Sequence, residues 1–367
     1  MTWWASADDD EPEFDESSVR VRPGRRGSKP RTKTRPEHEN ALTGRILSVD
    51  RGRYTVMLDE NLPAERRVTA ARASELRKQA VVTGDRVDIV GDTTGAPGSL
   101  SRIVRIEERT TVLRRSADDT DAIERVIVAN ADQLVIVTAL AEPEPRTRMI
   151  DRCVVAGYDA GMDVLLCLTK ADLADPADLI AMYAPIGVSV VVTNRGPDGA
   201  IVGLDDVRRA LAGRTSVLIG HSGVGKSTLV NALVPDAFRA VGIVNDVTGR
   251  GRHTSSSAIA LRMPAADDAA PGWVIDTPGV RSFGLAHVQL EHLLAPFGDL
   301  AAVAQECPRG CTHADDAPDC CLDEWVEASP DPETSAARAA RLESFRRLLA
   351  SRSGTIGDLH TPDRDSR

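Results

Sequence analysis

Gly220-His-Ser-Gly-Val-Gly-Lys-Ser227, followed by Thr228, is the stretch from which the rest of the chain is read. It fits G-x-x-x-x-G-K-[ST], a loop pattern that cradles phosphate. The apolar run Ser216-Val-Leu-Ile219 leads in as a buried strand would, and Leu229-Val-Asn-Ala-Leu233 leads out with helical spacing. Strand, glycine loop and helix are the context this motif needs. Glycines let backbone N–H groups turn inward as an anion nest, and the helix N-terminus adds its partial positive charge. Gly220, His221, Ser222, Gly223, Val224, Gly225, Lys226, Ser227 and Thr228 are therefore the expected phosphate site. Lys226 is placed to reach the β- and γ-phosphates, and Ser227 to offer its hydroxyl to Mg²⁺.

Strands and helices alternate on both sides of this loop. Asp132-Gln-Leu-Val-Ile-Val-Thr138 and Asp163-Val-Leu-Leu-Cys-Leu168 read as buried parallel strands, with a helix over 149–161 between them. Further strands are expected over 188–192, 216–219 and 273–275. This is a doubly wound α/β pattern, in which ligands sit at the carboxyl ends of the strands. Thr169-Lys-Ala-Asp172 follows one such strand and resembles N-K-x-D, a guanine-reading element. The Asp172 carboxylate can accept from the guanine N1–H and 2-amino groups, which adenine cannot supply. Lys170 would lie along the base. Asp276-Thr-Pro-Gly279 matches D-x-x-G, with Asp276 in the Mg²⁺ shell and the Gly279 N–H sensing the γ-phosphate. Between these motifs lies Gly249-Arg-Gly-Arg-His-Thr254, a polar, glycine-rich stretch suited to a switch whose Thr254 reaches Mg²⁺.

The base-reading motif precedes the phosphate loop, whereas ordinary GTPases have it after D-x-x-G. The order implies a circularly permuted P-loop GTPase domain, with Val191-Val-Thr-Asn194 as the loop closing over the base. Permutation is tolerable because the ends of such a domain can lie close together. The chain has five lysines against forty arginines, and two of the five are Lys170 and Lys226. Both positions need a compact charge on a flexible stem rather than an Arg fork.

Two smaller units flank this domain. From Leu42 to about Arg115 short strands alternate with turns; Tyr54, Val56 and Leu58 point one way and Thr55, Met57 and Asp59 the other. A small OB-type β-barrel is expected. Tyr54 is its one stacking aromatic, so RNA contact there would run through phosphates at Arg109, Arg114 and Arg115; a solvated Arg cluster is the plain alternative. Beyond Leu285, Cys307-x3-Cys311-x-His313-x6-Cys320 offers three thiolates and an imidazole. That is a closed tetrahedral set for one structural Zn²⁺, with Cys321 beside Cys320 as the alternative last ligand. An Arg-rich amphipathic helix is expected over 336–350, with packing as its default role. The resulting division is a tail over 1–40, a barrel over 41–117, the GTPase domain over 118–284, a zinc-binding module with helices over 285–352 and a tail over 353–367.

The chain has 367 residues, enough for two or three domains, and a hydrophobic fraction of 42% that supports ordinary cores. Its net charge of −10 argues against a surface coated uniformly with nucleic acid, so RNA contact must come from local basic patches. An acidic block over 8–16 and a basic one over 20–35 can build no core, and a solvated tail is expected there. With no apolar run of membrane-spanning length and no secretory segment, a soluble, intracellular protein without membrane contact is expected, and a monomer. Four of the six cysteines crowd between Cys307 and Cys321, which in that setting favours metal over disulfides.

Taken together, the chain resembles the RsgA (YjeQ) family of circularly permuted GTPases over roughly residues 42–350. The resemblance rests on the order barrel, permuted GTPase, zinc module. It also rests on Asn130-Ala-Asp-Gln133, Thr169-Lys-Ala-Asp172, the stretch 220–228, Gly251-Arg-His-Thr254, Asp276-Thr-Pro-Gly279-Val-Arg and the Cys/His cluster. It implies binding of GTP and GDP, hydrolysis stimulated by the small ribosomal subunit late in its assembly, rRNA contacts from the barrel and zinc module, and a cytoplasmic location. Thr169 stands where many members have Asn, which predicts a weaker tether of the base loop; His221 replaces a more usual Gln, and Ser255 a common second Thr. Val280 occupies the place after D-x-x-G where Ras-like enzymes carry a water-orienting Gln. His253 is therefore expected to orient the attacking water, with Lys226 and Thr254 as its catalytic companions. Two rivals remain: an RNA-binding scaffold that senses GTP with little hydrolysis, and an ATPase or small-molecule kinase, against which Asp172 speaks.

Overall fold

Alternation along the first strands is what closes a barrel. A computed structural model of the chain describes residues 38–76, 79–115, 125–235, 258–265, 271–277, 283, 285 and 288–353. Strands β1 (Leu42–Asp50), β2 (Arg53–Leu58), β3 (Arg66–Arg72), β4 (Arg86–Gly91) and β5 (Ser101–Ile106) pair in the order β1-β2-β3-β5-β4, and β4 returns to β1. Closure removes the sheet edges, as in an OB-type barrel. Tyr54, Val56 and Leu58 point inward with Ile46, Val87, Ile89 and Ile103, as the alternation predicts. Met57 and Leu47 face outward yet are buried, because the barrel wall packs against the α/β body.

β6 (Val112–Arg115) and β7 (Arg125–Ala129) form a separate antiparallel pair. The expected boundary at 117/118 falls between its two strands.

The α/β body then follows. β8 (Gln133–Ala139), α1 (Thr147–Asp159), β9 (Asp163–Thr169), α2 (Ala177–Tyr183) and β10 (Ser189–Val192) come first. The short pair β11 (Asn194–Arg195) and β12 (Ile201–Val202), then α3 (Leu204–Leu211), lead to β13 (Thr215–Gly220) and α4 (Lys226–Leu233). β14 (Ile259–Arg262) and β15 (Trp273–Asp276) complete the sheet. β10, β9, β8, β13 and β15 run parallel in that spatial order, and β14 pairs antiparallel with β15. Every residue of β8 is buried, as a central parallel strand covered on both faces requires.

The sheet continues into the barrel. Ser48 of β1 pairs with Ile259 of β14, so one sheet runs from β10 through to the barrel. Side chains seal the seam. The Glu60 carboxylate accepts from Arg45 Nε at 3.1 Å and from Trp273 Nε1 at 2.8 Å, while Arg262 pairs with Glu65. Arg45 lies over the Trp273 ring, 5.5 Å from its centroid. Burial pushes the Glu60 carboxyl upward, but Arg45, Trp273 and Arg86 together hold it below the usual range.

After β15 the described residues form four helices, Leu290–Leu294, Gly298–Ala304, Cys321–Glu327 and Pro332–Ser353. The long last helix buries Leu342, Phe345 and Leu348 on one face. Phe297 makes edge-on ring contacts with Phe345 at 5.6 Å and with Tyr158 of α1 at 6.0 Å. These helices share one core with α1, so the expected module lacks a core boundary with the α/β body. Among the described residues no helix is long and apolar enough to cross a membrane.

Candidate functional site

The carboxyl ends of β9, β13 and β15 bring three of the sequence motifs to one edge of the sheet. The stretch 220–225 turns from β13 into α4, with Gly223 and Gly225 at φ of 84° and 92°, a region costly for residues with a side chain. Gly220 is required for a different reason: a Cβ there would lie 2.5 Å from the Val137 carbonyl oxygen of β8. Val224 is 2% exposed and packs among the body's apolar side chains, which anchors the loop. Lys226 and Ser227 open α4, where backbone N–H groups lack helical partners and can face an anion. Lys226 Nζ pairs with Asp276 Oδ1 at the end of β15, so this ammonium and this carboxylate share one side of the sheet.

The base-reading motif is fastened to this loop. Thr169 Oγ1 donates to the Val224 carbonyl at 2.7 Å, and Thr169 is 7% exposed. Thr in place of Asn thus keeps a direct hydrogen bond from its short side chain to the loop over 220–225. Lys170 follows with φ 58°, and Asp172 is exposed at the rim. Ala171 N–H donates to the Thr193 carbonyl at 3.2 Å, and Thr193 N–H to the Leu168 carbonyl at 2.7 Å, which places Thr193 beside the motif. The expected loop 191–194 is largely strand instead: Val191 and Val192 end β10 and Asn194 starts the β11–β12 pair, which leaves Thr193 between them.

A contributor that the motifs did not reveal is the loop over 140–146, after β8. Leu140 N–H donates to the Thr169 carbonyl at 2.9 Å, the Glu142 carbonyl accepts from Lys170 Nζ, and Pro143 lies against Gly223. Its sequence signal is the pair Pro143 and Pro145 immediately after a buried strand. His253, Thr254 and Gly279 lie outside the described residues.

The Cys/His set forms a second site. One ligand atom from each of Cys307, Cys311, His313 and Cys320 falls within 4.8 Å of the others. His313 Nδ1 lies 3.4 Å from Cys311 Sγ and 3.7 Å from Cys320 Sγ. A tetrahedral Zn²⁺ with ordinary Zn–S and Zn–N lengths places neighbouring S and N ligands about 3.5 Å apart, so this donor set fits that ion. Burial, with Arg346 nearby, holds the His313 imidazole below its usual pKa, in the neutral form that coordinates. Cys321 starts the next helix and is not one of the four.

Of the arginines expected to face RNA, Arg109 is engaged inside the protein: its Nε donates to the buried Asp85 carboxylate at 2.7 Å and its Nη2 to the Ala80 carbonyl at 2.6 Å. Arg114 and Arg115 lie on β6.

Known proteins share this architecture. Residues 106–286 match the family model described as RsgA GTPase. The protein named small ribosomal subunit biogenesis GTPase RsgA of Pseudomonas aeruginosa is 36% identical over 281 residues, spanning 74% of this chain and 76% of the relative. Its namesake in Pseudomonas syringae pv. tomato is 36% identical over 280 residues, 74% of this chain and 75% of the relative. Among solved structures, YjeQ from Thermotoga maritima superposes with a TM-score of 0.56 at 25% identity, covering 84% of this chain and 99% of that one. YloQ, described as a circularly permuted GTPase, superposes with a TM-score of 0.55 at 22% identity over 85% and 97% of the two chains, a likeness of fold.

Proposed function

The chain belongs to the RsgA family, and from that membership we propose that it hydrolyses GTP on the small ribosomal subunit, late in the assembly of that particle. The observation that carries the reading is the joining of the phosphate loop to the base-reading motif by Thr169 and Val224, with Asp276 across from Lys226. A guanine nucleotide fits that edge with its base at Asp172 and Lys170 and its phosphates over 220–228. Lys226 neutralises charge at the β- and γ-phosphates, while Ser227, Asp276 and Thr254 hold Mg²⁺. The Gly279 N–H reads the γ-phosphate, and His253 orients the attacking water once the subunit orders the switch. Turnover without the subunit is then slow.

Cys307, Cys311, His313 and Cys320 hold one Zn²⁺, whose chemistry is structural: four protein ligands leave no open position. The partner is the subunit and its rRNA, met by a monomer in the cytoplasm, with the barrel and the zinc-bearing helices as contact surfaces.

Phosphate release from GTP and from ATP, with and without purified small subunits, tests the proposal. Release selective for GTP and raised at least tenfold by subunits is expected, with His253→Ala losing that rise while still binding GTP. GTP binding without stimulated release would replace the enzyme by a GTP-sensing scaffold, and equal use of ATP would remove the role of Asp172.

A further inference from the structure

The Cys/His cluster has a fifth sulfur beside it. Cys320 is 3% exposed, and its sulfur lies in the cluster, 3.7 Å from His313 Nδ1. The next residue, Cys321, opens the helix Cys321–Glu327 and is only half-buried. Its thiol hydrogen-bonds with the sulfur of Cys307, the first of the four candidate ligands and itself half-buried. The Cys307 sulfur therefore meets two kinds of neighbour: donors with which it would share an ion, and a thiol that this set leaves over.

A closed structural site takes four donors, and Cys307, Cys311, His313 and Cys320 supply them. Cys321 is not needed to hold an ion. The other two cysteines of the chain differ in setting: Cys153 of α1 and Cys167 of β9 are 2% and 0% exposed, inside the α/β body and out of reach of a dissolved oxidant. A solvent-reachable thiolate with a second thiol in contact is the arrangement that oxidant-sensing cysteines share. Coordination keeps a cysteine in its thiolate form, which is the form that reacts.

We propose that Cys307 and Cys321 are a peroxide-responsive thiol pair whose closure into a disulfide opens the Cys/His cluster. The proposal rests on the assignment of one Zn²⁺ to that cluster. In the first step the Cys307 thiolate attacks an oxygen of hydrogen peroxide and the O–O bond breaks; Cys307 becomes a sulfenic acid and hydroxide leaves, taking a proton from solvent. In the second the Cys321 sulfur attacks the Cys307 sulfur, the S–S bond forms, and the sulfenic hydroxyl departs as water with the Cys321 proton. The two sulfurs lose two electrons together, and the peroxide gains them as two waters. Sulfurs already in hydrogen-bonding contact have little distance to close to a disulfide length of about 2 Å. Cys311, His313 and Cys320 then remain, one donor short of a structural site, and the hold on the ion is lost. In a reducing compartment such a bond is transient, and thiol reductants undo it. The nucleotide edge takes no part, so oxidation should separate GTP hydrolysis on the subunit from nucleotide binding.

The full-length chain, its zinc first counted by elemental analysis, is treated with hydrogen peroxide while a chromogenic chelator reads the released metal. The product is then alkylated and its disulfides mapped by mass spectrometry. The parent should release its zinc, carry a Cys307–Cys321 disulfide and keep Cys153 and Cys167 reduced. Subunit-stimulated turnover should fall at least fivefold, with GDP affinity within about twofold, and dithiothreitol with added Zn²⁺ should restore it. Cys321→Ser should hold zinc and turn over like the parent before oxidation. After oxidation its recovery should be at least fivefold poorer, because Cys307 without that neighbour passes on to the sulfinic acid, which dithiothreitol does not reduce. A disulfide of Cys307 with Cys311 or Cys320 in the parent, or parent-like recovery of Cys321→Ser, would overturn the proposal. The map of the parent needs no variant, so it decides the pairing even if Cys321→Ser folds poorly. A chain that holds no zinc before oxidation would contradict the assigned ion, while its disulfide map would still read the thiol pair.

Discussion

The nucleotide edge and the Cys/His cluster are both built from turns, yet different forces hold them. At the nucleotide edge the loops hang from parallel strands that are mostly buried, β8 throughout and β9 in all but its first residue, and each loop is hydrogen-bonded to the next: Thr169 to Val224, Ala171 to Thr193, Leu140 to Thr169. Their geometry follows from the sheet. The Cys/His cluster sits between short helices, with Cys307 and Cys311 only partly buried and loop connections between the ligands. There three sulfurs and a ring nitrogen converge on one another, the arrangement of a site whose order would come from a bound ion. The contrast teaches that one region should survive loss of its ligand and the other should not.

Withdrawing the metal is the strongest way to break the comparison. The account expects one zinc per chain by elemental analysis. Chelation or Cys311→Ser should expose the segment 305–330 to protease, at a cost on the order of several kcal/mol. GDP affinity should change by no more than about twofold, because none of the four ligands touches the nucleotide edge. If chelation instead abolished GDP binding while leaving the segment resistant, the assignment of forces would be reversed.

The next largest effect belongs to base reading. Asp172→Asn replaces a charged double acceptor by an amide, so guanine loses two charge-assisted hydrogen bonds worth about 1.5–3 kcal/mol each when formed. A fall of about a hundredfold in GDP affinity is expected, with xanthine nucleotide gaining, since the new amide can donate to its 2-oxo group. Competition binding with GDP, ADP and XDP reads this directly, and unchanged guanine preference would remove Asp172 from the base site. The smallest effect sharpens the account of the loops. Thr169→Val keeps shape but loses the donor to Val224, so nucleotide affinity should fall about two- to tenfold, the usual net worth of one hydrogen bond. Thr169→Asn should stay near the parent.

Much of this was legible from residue order. The stretch 220–228 announced its strand and helix through flanking apolar runs, and the early position of Thr169-Lys-Ala-Asp172 implied the permuted sheet. The alternation of Tyr54, Val56 and Leu58 gave the barrel interior, and the Cys/His spacing gave five ligand candidates, of which geometry groups the four that include Cys320 and leaves out Cys321. What stayed hidden depends on contacts distant in sequence. The β1–β14 pairing at Ser48 and Ile259, the Glu60–Trp273 bond and the Arg152–Phe283 bond join residues more than a hundred positions apart, and no local period encodes them. Arg109 shows the same limit from the other side: an arginine in a basic run looks available to RNA, and only the fold reveals Asp85 beneath it. Thr169 shows the limit too, because nothing local in the motif announces that its hydroxyl meets the Val224 carbonyl.

One titration tests the whole account most directly: phosphate release from GTP against rising concentrations of small ribosomal subunits, for the zinc-loaded chain and for the chain after its metal is withdrawn. The account predicts a saturating rise for the loaded chain, equal slow rates for both without subunits, and no rise for the stripped chain. A flat rate for the loaded chain would contradict the proposed activity, and an equal rise for both would contradict the role given to the zinc-bearing helices.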